Sequence, residues 1–524
     1  MRLIDYLDKG ASLDPGAPCL VCDGEVRTYA QVQQLSGRIA SALAAHGIAA
    51  GDKVAILSAN DPTAFTCVFG ISRAGAVWCP INPRNAAAEN RALLDLFECS
   101  LLLFQAAFAP LVESIRAALP HLRTLVCIDG EVEWALGWQE FLAAGGDPVD
   151  RHAPDDLAMI AGTGGTTGHP KGVMLTGTNI ETMTAITLMS YPWPAGGERP
   201  SYLALAPLTH AAGVLCFPIL CRGGSIVIMR RPDIAEFLDN VETHRITHTF
   251  LPPTLIYMVL DHPSLDGRDL SSLQCFWYGA APMSSSRLEE ALTRIGPVMA
   301  QLFGQTEAPM MISTMSPSDH FADDGSIARD RLSSAGRPAP LVTVAIMGED
   351  GRLVPRGDRG EIVVRGSLVM RGYYNNEAAT QEASALGWHH TGDIGYLDED
   401  GYLFIVDRAK DMVITGGFNV YSTEVEQTLM AHPAVADCAV IGLPDEKWGE
   451  RLTAVLELRP GTCVDTAELT TFVKARIGSV KTPKQVEIWK DLPRSKIGKV
   501  LKTEIKKQLL EPDGGSDGPH KAET

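Results

Sequence analysis

A stretch rich in glycine and threonine, residues 163–172, carries the residue types that bind phosphate groups. Glycines let backbone amides turn toward an anion, threonine hydroxyls add donors, and a lysine supplies a point charge. The spacing is not that of a Walker loop, because His169 and Pro170 precede Lys171 and Gly172 follows it. On composition alone, a Gly/Thr loop without function remains an alternative. The candidate phosphate-binding residues are Thr163, Gly164, Gly165, Thr166, Thr167, Gly168 and Lys171.

Six further short strings follow this stretch along the chain. They are Pro207-Leu-Thr-His210, Tyr278-Gly-Ala-Ala-Pro282, Phe303-Gly-Gln-Thr-Glu307, Trp388-His-His-Thr-Gly-Asp393, Asp407-Arg-Ala-Lys-Asp411 with Gly416-Gly417, and Pro493-Arg-Ser-Lys-Ile-Gly-Lys499. In this order they resemble the signature of the adenylate-forming superfamily, which includes acyl-CoA synthetases, luciferases and peptide-synthetase adenylation domains. The resemblance covers nearly the whole chain. It implies that ATP activates a carboxylic acid as its acyl-adenylate and that a thiol then takes the acyl group.

The first step of such a reaction brings a carboxylate against the α-phosphate of ATP. Two like unit charges at about 4 Å repel by about 4 kcal/mol at an effective dielectric near 20, so cations and donors must offset the repulsion. The resemblance implies that Thr163, Thr166 and Lys171 hold the phosphates. It also assigns contact with the α-phosphate to Thr306, Mg²⁺ binding to Glu307, and stabilisation of the charge on the transferring phosphoryl group to Lys499. As alternatives, Glu307 could be a surface acid at a helix end, and Lys499 part of a solvated helix face.

The nucleoside of ATP is assigned by the same resemblance to other positions. Asp393 would accept the ribose hydroxyls, a role suited to a carboxylate that takes two hydrogen bonds, and Arg408 would assist it. Phe303 and the backbone of Gly279, Ala280 and Ala281 would sandwich the adenine, with Gly304 and Gln305 beside them. Without this resemblance, Asp393 could cap a helix or turn and Phe303 could belong to the core.

This sequence departs from the superfamily pattern at two positions. Gly164 stands where serine is usual, so one hydroxyl donor is missing from the phosphate loop, although backbone amides remain. Phe303 stands where tyrosine is frequent, which keeps a stacking surface and drops the phenol. Loss of turnover, leaving a nucleotide-binding regulator, is therefore conceivable, but retention of Lys171, Glu307, Asp393 and Lys499 argues against it.

Transfer to the thiol needs a different geometry. In relatives the C-terminal domain rotates between the two half-reactions, and Lys410 matches the hinge position. Gly416 and Gly417 would line the pantetheine tunnel, where the absence of side chains allows close approach. Arg84 and Trp448 resemble positions that contact the CoA nucleotide in aryl-CoA ligases.

The acyl pocket is expected to be apolar. By position its lining residues are Ala211, Ala212, Phe250, Leu302, Pro309 and Met310, with His210 as a catalytic-site gate at its mouth. No Lys, Arg or Asp among them would pair a charged substituent, which argues against amino acid substrates. Leu302 would shorten the tunnel and favour a compact acyl or aryl group, although any of these residues could also simply pack the core.

The elements that must position these residues alternate between helix and strand. Thr28 and Gln31 form a capping box ahead of an apolar period of 3.6, and the strand candidate 53–57 follows. A second such unit leads into the strand 248–251, which favours a mostly parallel, covered α/β sheet. From about Arg337, short strands and turn signals indicate a β-rich subdomain. We expect a large domain of layered sheets and helices over 1–409, a small mobile α+β domain over 410–511, and a disordered tail over 512–524.

Composition narrows the class of protein. The 524 residues include 45 basic and 63 acidic side chains, and this net charge of −18 disfavours nucleic acid as a partner. The eleven cysteines lack metal-ligand spacing, and the CxxC at Cys19 and Cys22 is predicted to lie in a strand before the hairpin turn Asp23-Gly24. No secretory signal or membrane span is visible, so we expect a cytoplasmic monomer or homodimer.

The combined prediction is an AMP-forming carboxylate:CoA ligase that uses ATP, CoA, Mg²⁺ and an apolar medium-chain or aromatic acid. The alternative acceptor is the phosphopantetheine of a carrier protein.

Overall fold

The computed structural model of the chain describes residues 1–163, 170–208, 211–408, 411–416, 418–495 and 500–510, with the backbone alone at Ala211. The helices are α1 (Leu3–Leu13), α2 (Tyr29–Ala45), α3 (Pro62–Arg73), α4 (Ala87–Leu96), α5 (Ala109–Arg116), α6 (Trp138–Ala143), α7 (Gly177–Ser190), α8 (Ala211–Val214), α9 (Cys216–Leu220), α10 (Ile234–Thr243), α11 (Pro253–Asp261), α12 (Ser285–Arg294), α13 (Glu377–Ala383), α14 (Ser422–Met430), α15 (Thr466–Ile477) and α16 (Lys502–Leu510).

The strands carry most of the predicted site residues at or near their ends. They are β1 (Pro18–Cys22), β2 (Glu25–Thr28), β3 (Lys53–Leu57), β4 (Val77–Ile81), β5 (Leu101–Phe104), β6 (Thr124–Cys127), β7 (Leu136–Gly137), β8 (Leu157–Thr163), β9 (Lys171–Thr176), β10 (Ser201–Ala204), β11 (Ser225–Ile228), β12 (His248–Leu251), β13 (Cys275–Tyr278), β14 (Met299–Gln305), β15 (Ala308–Met315), β16 (Arg337–Pro338), β17 (Thr343–Met347), β18 (Gly360–Arg365), β19 (Gly372–Tyr373), β20 (His389–Leu397), β21 (Leu403–Arg408), β22 (Val413–Thr415), β23 (Phe418–Val420), β24 (Val435–Asp445), β25 (Gly449–Leu458) and β26 (Gln485–Trp489).

Local sequence signals explain several of these boundaries. The Thr28 side chain accepts from the backbone of Gln31, whose own side chain accepts from the Thr28 N–H, so the predicted capping box begins α2. Asp61 accepts from Thr63 and Ala64 at the start of α3, and Pro62 occupies the first helical position.

The predicted layers of the large domain contain two large sheets. The first runs β16-β15-β14-β13-β12-β10-β11-β1-β2 and the second β19-β9-β8-β4-β3-β5-β6-β7. Strands β14 to β1 of the first sheet and β8 to β7 of the second are parallel, and antiparallel strands lie at both edges of the first sheet and at the β19 edge of the second. One hydrophobic core contains residues of both sheets together with residues of α1, α2, α3, α7 and α9. The prediction of covered, mostly parallel layers of sheet and helix is therefore confirmed.

The later part of the chain holds two smaller sheets. An antiparallel sheet, β17-β18-β20-β21, matches the predicted β-rich subdomain. The sheet β23-β22-β25-β24, with β26 parallel to β25, lies between two apolar clusters. Along β24, Cys438 and Val440 face one cluster while Ala439 and Ile441 face the other, as alternation requires.

Cys19 and Cys22 both lie buried on β1, ahead of a turn in which Asp23 and Gly24 have φ of 50° and 79°. Burial raises the pKa of the Cys22 thiol to about 11, so this thiol stays protonated at neutral pH. Within the described ranges, no helix is long and apolar enough to cross a bilayer.

One buried histidine makes the stability of the fold pH-dependent. His248 is fully buried on β12, its ring is stacked at 4.4 Å on Trp193, and its Nε2 lies 3.0 Å from the Pro192 carbonyl oxygen. Burial lowers its pKa from 6.5 to about 3. The unfolded chain therefore binds the proton first, and stability falls as pH drops from 6.5 toward 3.

When the pH falls from 6.5 to 5, we expect the free energy of unfolding of the wild type to fall by about 2 kcal/mol more than that of His248→Gln. Urea unfolding at the two pH values measures this difference. Histidines and carboxylates elsewhere are common to both proteins, so the difference reports this ring. Parallel pH profiles would contradict the prediction.

Candidate active site

The loop after β13 lies at the carboxyl end of a parallel strand, where α/β proteins bind nucleotides. It contains Gly279, Ala280 and Ala281. A Cβ added to Gly279 would lie 2.3 Å from the Leu302 carbonyl oxygen, so only glycine fits against the neighbouring strand. Ala280 is exposed and has a φ of 66°, a left-handed conformation that alanine rarely adopts. Strain of this kind clusters at functional sites, which agrees with the predicted adenine contact.

The segment Phe303-Gly-Gln-Thr-Glu307 ends β14 and turns into β15. Gln305 pairs with Ala308, which places Thr306 and Glu307 in the hairpin turn. A Cβ at Gly304 would lie 2.4 Å from the Met310 nitrogen, and Met310 itself has a φ of 61°. The alternative of a surface acid at a helix end is therefore wrong for Glu307, which is partly buried in a strained, close-packed hairpin.

Glu307 is linked to Lys171 through a tyrosine that the sequence did not single out. The Tyr373 phenol donates to Glu307 Oε1 at 2.8 Å, and Lys171 Nζ lies 4.7 Å from the centre of the Tyr373 ring. Burial, followed by the nearby Glu307 charge, raises the Tyr373 pKa, so the phenol remains a donor at neutral pH.

The ends of the Gly/Thr stretch are held side by side by the β8–β9 hairpin. Thr163 pairs with Lys171, and the Thr163 hydroxyl lies 3.5 Å from the Lys171 carbonyl oxygen. The predicted phosphate-binding residues between them, Gly164, Gly165, Thr166, Thr167 and Gly168, lie outside the described residues. Thr163 and Lys171 are therefore neighbours on paired strands, and the Lys171 ammonium lies over the Tyr373 ring.

The predicted ribose ligand is tied to the same hairpin. Gln305 donates to the Thr391 carbonyl oxygen at 3.1 Å, and its Oε1 lies 2.9 Å from His389 Nε2. Burial lowers the pKa of His389, which favours the neutral ring. Asp393 follows on β20, buried, with Arg408 Nε at 3.3 Å from its Oδ1. The predicted pair Asp393 and Arg408 is thus brought together across β20 and β21.

The metal ligand available here, the Glu307 carboxylate, suits Mg²⁺ better than it suits a metal that takes all of its ligands from the protein. No group of three or more His, Cys, Asp or Glu that could hold a metal occurs in the described part of the chain. The Tyr373 hydrogen bond occupies Glu307 Oε1, and Oε2 accepts no hydrogen bond from any described residue. Mg²⁺ is commonly held by one or two carboxylates together with substrate phosphates and water, which suits this single oriented carboxylate.

Two of the predicted CoA contacts meet each other. The Gly416 N–H donates to the Trp448 carbonyl oxygen at 2.7 Å, and a Cβ at Gly416 would lie 3.1 Å from the indole ring. Lys447 and Lys484 place their ammonium groups 5.0 and 5.6 Å from the same ring. Arg84 is exposed after β4, with its backbone N–H on Asn82 Oδ1.

Two of the predicted acyl residues, Phe250 and Leu302, lie on the same face of the first large sheet. Phe250 on β12 and Leu302 on β14 are 3% and 2% exposed and belong, with Ala212, to the core shared by the two large sheets. Met310 packs against this core, and Pro309 is buried next to it. This face is continuous with the loop containing Gly279, because Gly279 packs against Leu302.

Four further predicted functional residues lie wholly outside the described residues: the predicted catalytic Lys499, the gate His210, the hinge Lys410 and the tunnel glycine Gly417. The side chain of Ala211 and the tail 512–524 are likewise outside.

A polar cluster next to the predicted hinge was also missed. We call Asp407, Ser422, Glu426 and Lys502 the hinge-side cluster. Lys502 Nζ lies 2.7 Å from Glu426 Oε1 and 2.5 Å from Ser422 Oγ, and Ser422 Oγ donates to Asp407 Oδ1 at 3.0 Å. Burial alone would lower the Lys502 pKa, but Glu426 and Asp407 outweigh it and raise that pKa. The cluster joins β21 to α14 and α16.

Comparison with known proteins agrees with this geometry. A family model described as AMP-binding enzyme matches residues 7–374, and one described as AMP-binding enzyme C-terminal domain matches residues 424–499. The chain belongs to the AMP-binding enzyme family. The predicted membership in the adenylate-forming superfamily is confirmed.

Relatives of this AMP-binding enzyme include CoA ligases. It is 38% identical to the medium/long-chain-fatty-acid–CoA ligase FadD8 of Mycobacterium tuberculosis, over 93% of this chain and 86% of that protein. It is 37% identical to the feruloyl-CoA synthase of an Amycolatopsis species, over 95% and 97%. The solved structure of the amide bond synthetase McbA from Marinactinospora thermotolerans is similar with a TM-score of 0.88, 30% identity, and coverage of 96% and 99%. The predicted enzyme class, an AMP-forming acid–CoA ligase with ATP and CoA as substrates, and the predicted fold class are confirmed.

Proposed function

We propose that this AMP-binding enzyme activates an apolar carboxylic acid, aromatic or medium-chain, with Mg²⁺ and ATP, and transfers the acyl group to CoA. The contact chain from Lys171 through Tyr373 to Glu307, beside the loop containing Gly279, carries the proposal. The Lys171 ammonium and the Glu307 carboxylate both contact Tyr373, which supports binding of the ATP phosphates and of Mg²⁺ next to each other, as phosphoryl transfer requires.

In the first half-reaction, a carboxylate oxygen attacks the α-phosphorus and pyrophosphate leaves. Lys171, with Thr163 and Thr166, holds the phosphates, and Thr306 contacts the α-phosphate. Mg²⁺ held by Glu307 would neutralise charge on the phosphate oxygens. Lys499 stabilises the charge that develops on the transferring group.

Nucleoside binding falls to residues on the two sheets that meet at Gln305. Asp393, oriented by Arg408 at 3.3 Å, accepts the ribose hydroxyls. Phe303 and the loop from Gly279 to Ala281 hold the adenine, with Gly304 providing room for the close hairpin. His210 gates the mouth of the acyl pocket.

In the second half-reaction, the thiolate of CoA attacks the acyl carbonyl carbon and AMP leaves. Gly416 and Gly417 line the pantetheine path, and rotation at Lys410 brings the segment into place. Trp448 offers a flat face for the CoA nucleotide, and the ammonium groups of Lys447 and Lys484 next to that ring suit its phosphates. Arg84, exposed after β4, is assigned a further contact with the CoA nucleotide.

The apolar character of Ala211, Ala212, Phe250, Leu302, Pro309 and Met310 supports an uncharged acyl group. A substrate with an ammonium or second carboxylate at its far end would leave that charge unpaired against Phe250 and Leu302, which are almost fully buried. Compact aromatic and medium-chain acids avoid this cost. The net charge of −18 is compatible with a monomer or homodimer.

The test is a panel of carboxylates incubated with enzyme, ATP and MgCl₂, with CoA, a phosphopantetheinylated carrier protein or an amine as acceptor. We expect AMP, pyrophosphate and acyl-CoA in equal amounts with at least one aromatic or C6–C12 acid, and a lower kcat/KM with amino acids and dicarboxylic acids. ADP as product, or acyl transfer to the carrier protein or amine in preference to CoA, would contradict the proposal.

A further inference from the structure

Tyr373 contacts two groups of opposite charge, the Lys171 ammonium and the Glu307 carboxylate. In the proposed reaction the first binds phosphate and the second binds Mg²⁺. The ring face of Tyr373 holds the Lys171 ammonium at 4.7 Å, and its hydroxyl holds Glu307 Oε1 at 2.8 Å. Both contacts are favourable, the first through the ring quadrupole and the second as a hydrogen bond to a carboxylate.

The backbone around Tyr373 gives this side chain little freedom. Tyr373 pairs with Val173 across β19 and β9, two residues beyond Lys171, and its N–H donates to Thr380 Oγ1 at 2.9 Å. The Met370 N–H donates to the Glu307 carbonyl oxygen at 2.7 Å, which fixes the hairpin turn against the same segment. The short segment 370–373 therefore helps to position both Lys171 and the hairpin turn that contains Glu307.

We infer that Tyr373 is a positioning residue for the Mg²⁺·ATP site: it separates Lys171 from Glu307 and presents Oε2 of Glu307 to the metal. Without this spacer, the ammonium and carboxylate would be drawn into a direct ion pair. Each would then neutralise the other instead of binding a phosphate or a metal. The inference rests on the proposed function.

The neighbouring residue supplies a matched control. The Tyr374 phenol donates to Glu98 Oε2 at 2.5 Å, and Lys53 Nζ lies 5.0 Å from its ring centre. This tyrosine makes the same two kinds of contact with residues to which no role in the reaction is assigned. Loss of its hydroxyl therefore measures the general effect of removing such a hydrogen bond.

The experiment compares Tyr373→Phe, Tyr373→Leu and Tyr374→Phe in the full-length chain. Binding of Mn²⁺ is followed by electron paramagnetic resonance in the presence of α,β-methylene-ATP, which permits no turnover. The half-saturating Mg²⁺ concentration and the KM for ATP are measured in acid-dependent ATP–pyrophosphate exchange. Thermal unfolding of each variant reports on folding.

Tyr373→Phe is expected to weaken Mn²⁺ binding and raise the half-saturating Mg²⁺ concentration about tenfold or more, the usual effect of losing a residue that orients a metal ligand. Its KM for ATP should change less than twofold, because the ring under Lys171 remains. Tyr373→Leu should also raise the KM for ATP, and Tyr374→Phe should match the wild type within twofold.

Equal Mn²⁺ affinity in Tyr373→Phe and wild type would overturn the inference, as would an equal loss in Tyr374→Phe. If the wild type exchanged pyrophosphate with no acid, the proposed function would fail, while the Mn²⁺ measurement would still decide the role of Tyr373.

Discussion

Replacement of Lys499 by alanine is expected to slow acyl-adenylate formation by about 10² or more, the effect of removing one donor that acts in the transition state. Conversion of a supplied acyl-adenylate with CoA should proceed at close to the wild-type rate. The reason is that Lys499 is assigned to charge on the transferring phosphoryl group, which is present in the first half-reaction alone. ATP–pyrophosphate exchange measures the first step, and thioester formation from synthetic acyl-adenylate measures the second.

Lys496→Ala is the matched control for this variant, because it removes a lysine three residues away in the same segment. It should retain both half-reactions within about threefold, because no role in the reaction is assigned to it and substitutions without such a role usually have small effects. An equal loss of both half-reactions in Lys499→Ala would refute the assigned role.

Replacement of Lys502 by methionine is expected to lower the free energy of unfolding by about 3 kcal/mol. Lys502 is the one cation of the hinge-side cluster, and its loss would leave the carboxylates of Glu426 and Asp407 close together without a counter-charge. This expected loss lies at the lower end of the range for breaking a buried ion pair, because the side chains of Lys502 and Glu426 are 21% and 17% exposed. Urea unfolding measures it, and hydrogen exchange of α14 and α16 locates it.

Lys506→Met provides the comparison, one turn further along α16. Lys506 lies 3.8 Å from Glu450 with 41% of its side chain exposed, so its removal should cost at most about 0.5 kcal/mol. A Lys502→Met variant as stable as Lys506→Met would show that the hinge-side cluster contributes little to the fold.

The sequence was most informative where local signals suffice. The capping box at Thr28, the turn at Asp23 and Gly24 and the alternating strands follow from residue types a few positions apart, and the structure contains them. The assignment of strands to the two large sheets was not predicted, because strand periodicity specifies which face is buried and leaves open which distant strand is the neighbour.

The predictions of the site divide in the same way, into residues that local sequence identifies and residues that only the folded chain brings together. Gly279, Phe303, Glu307 and Asp393 could be predicted as site residues because they lie in short strings with a recognisable order. Tyr373 was missed because nothing in the sequence separates it from Tyr374, and its partner Glu307 lies 66 residues away. Alternation places the two tyrosines on opposite faces, but only the folded chain reveals which face meets the acid.

The last two residues of β21 contact two different parts of the molecule. Asp407 and Arg408 are consecutive: the Asp407 carboxylate accepts from the backbone N–H of Ser422 at the start of α14, and Arg408 reaches Asp393. Since adjacent strand residues project to opposite sides, a twist of this peptide cannot turn one side chain and leave the other in place. The predicted ribose ligand Asp393 and the start of α14 are therefore both held by side chains of this one dipeptide, so a change in the backbone torsions of residues 407 and 408 would alter both contacts.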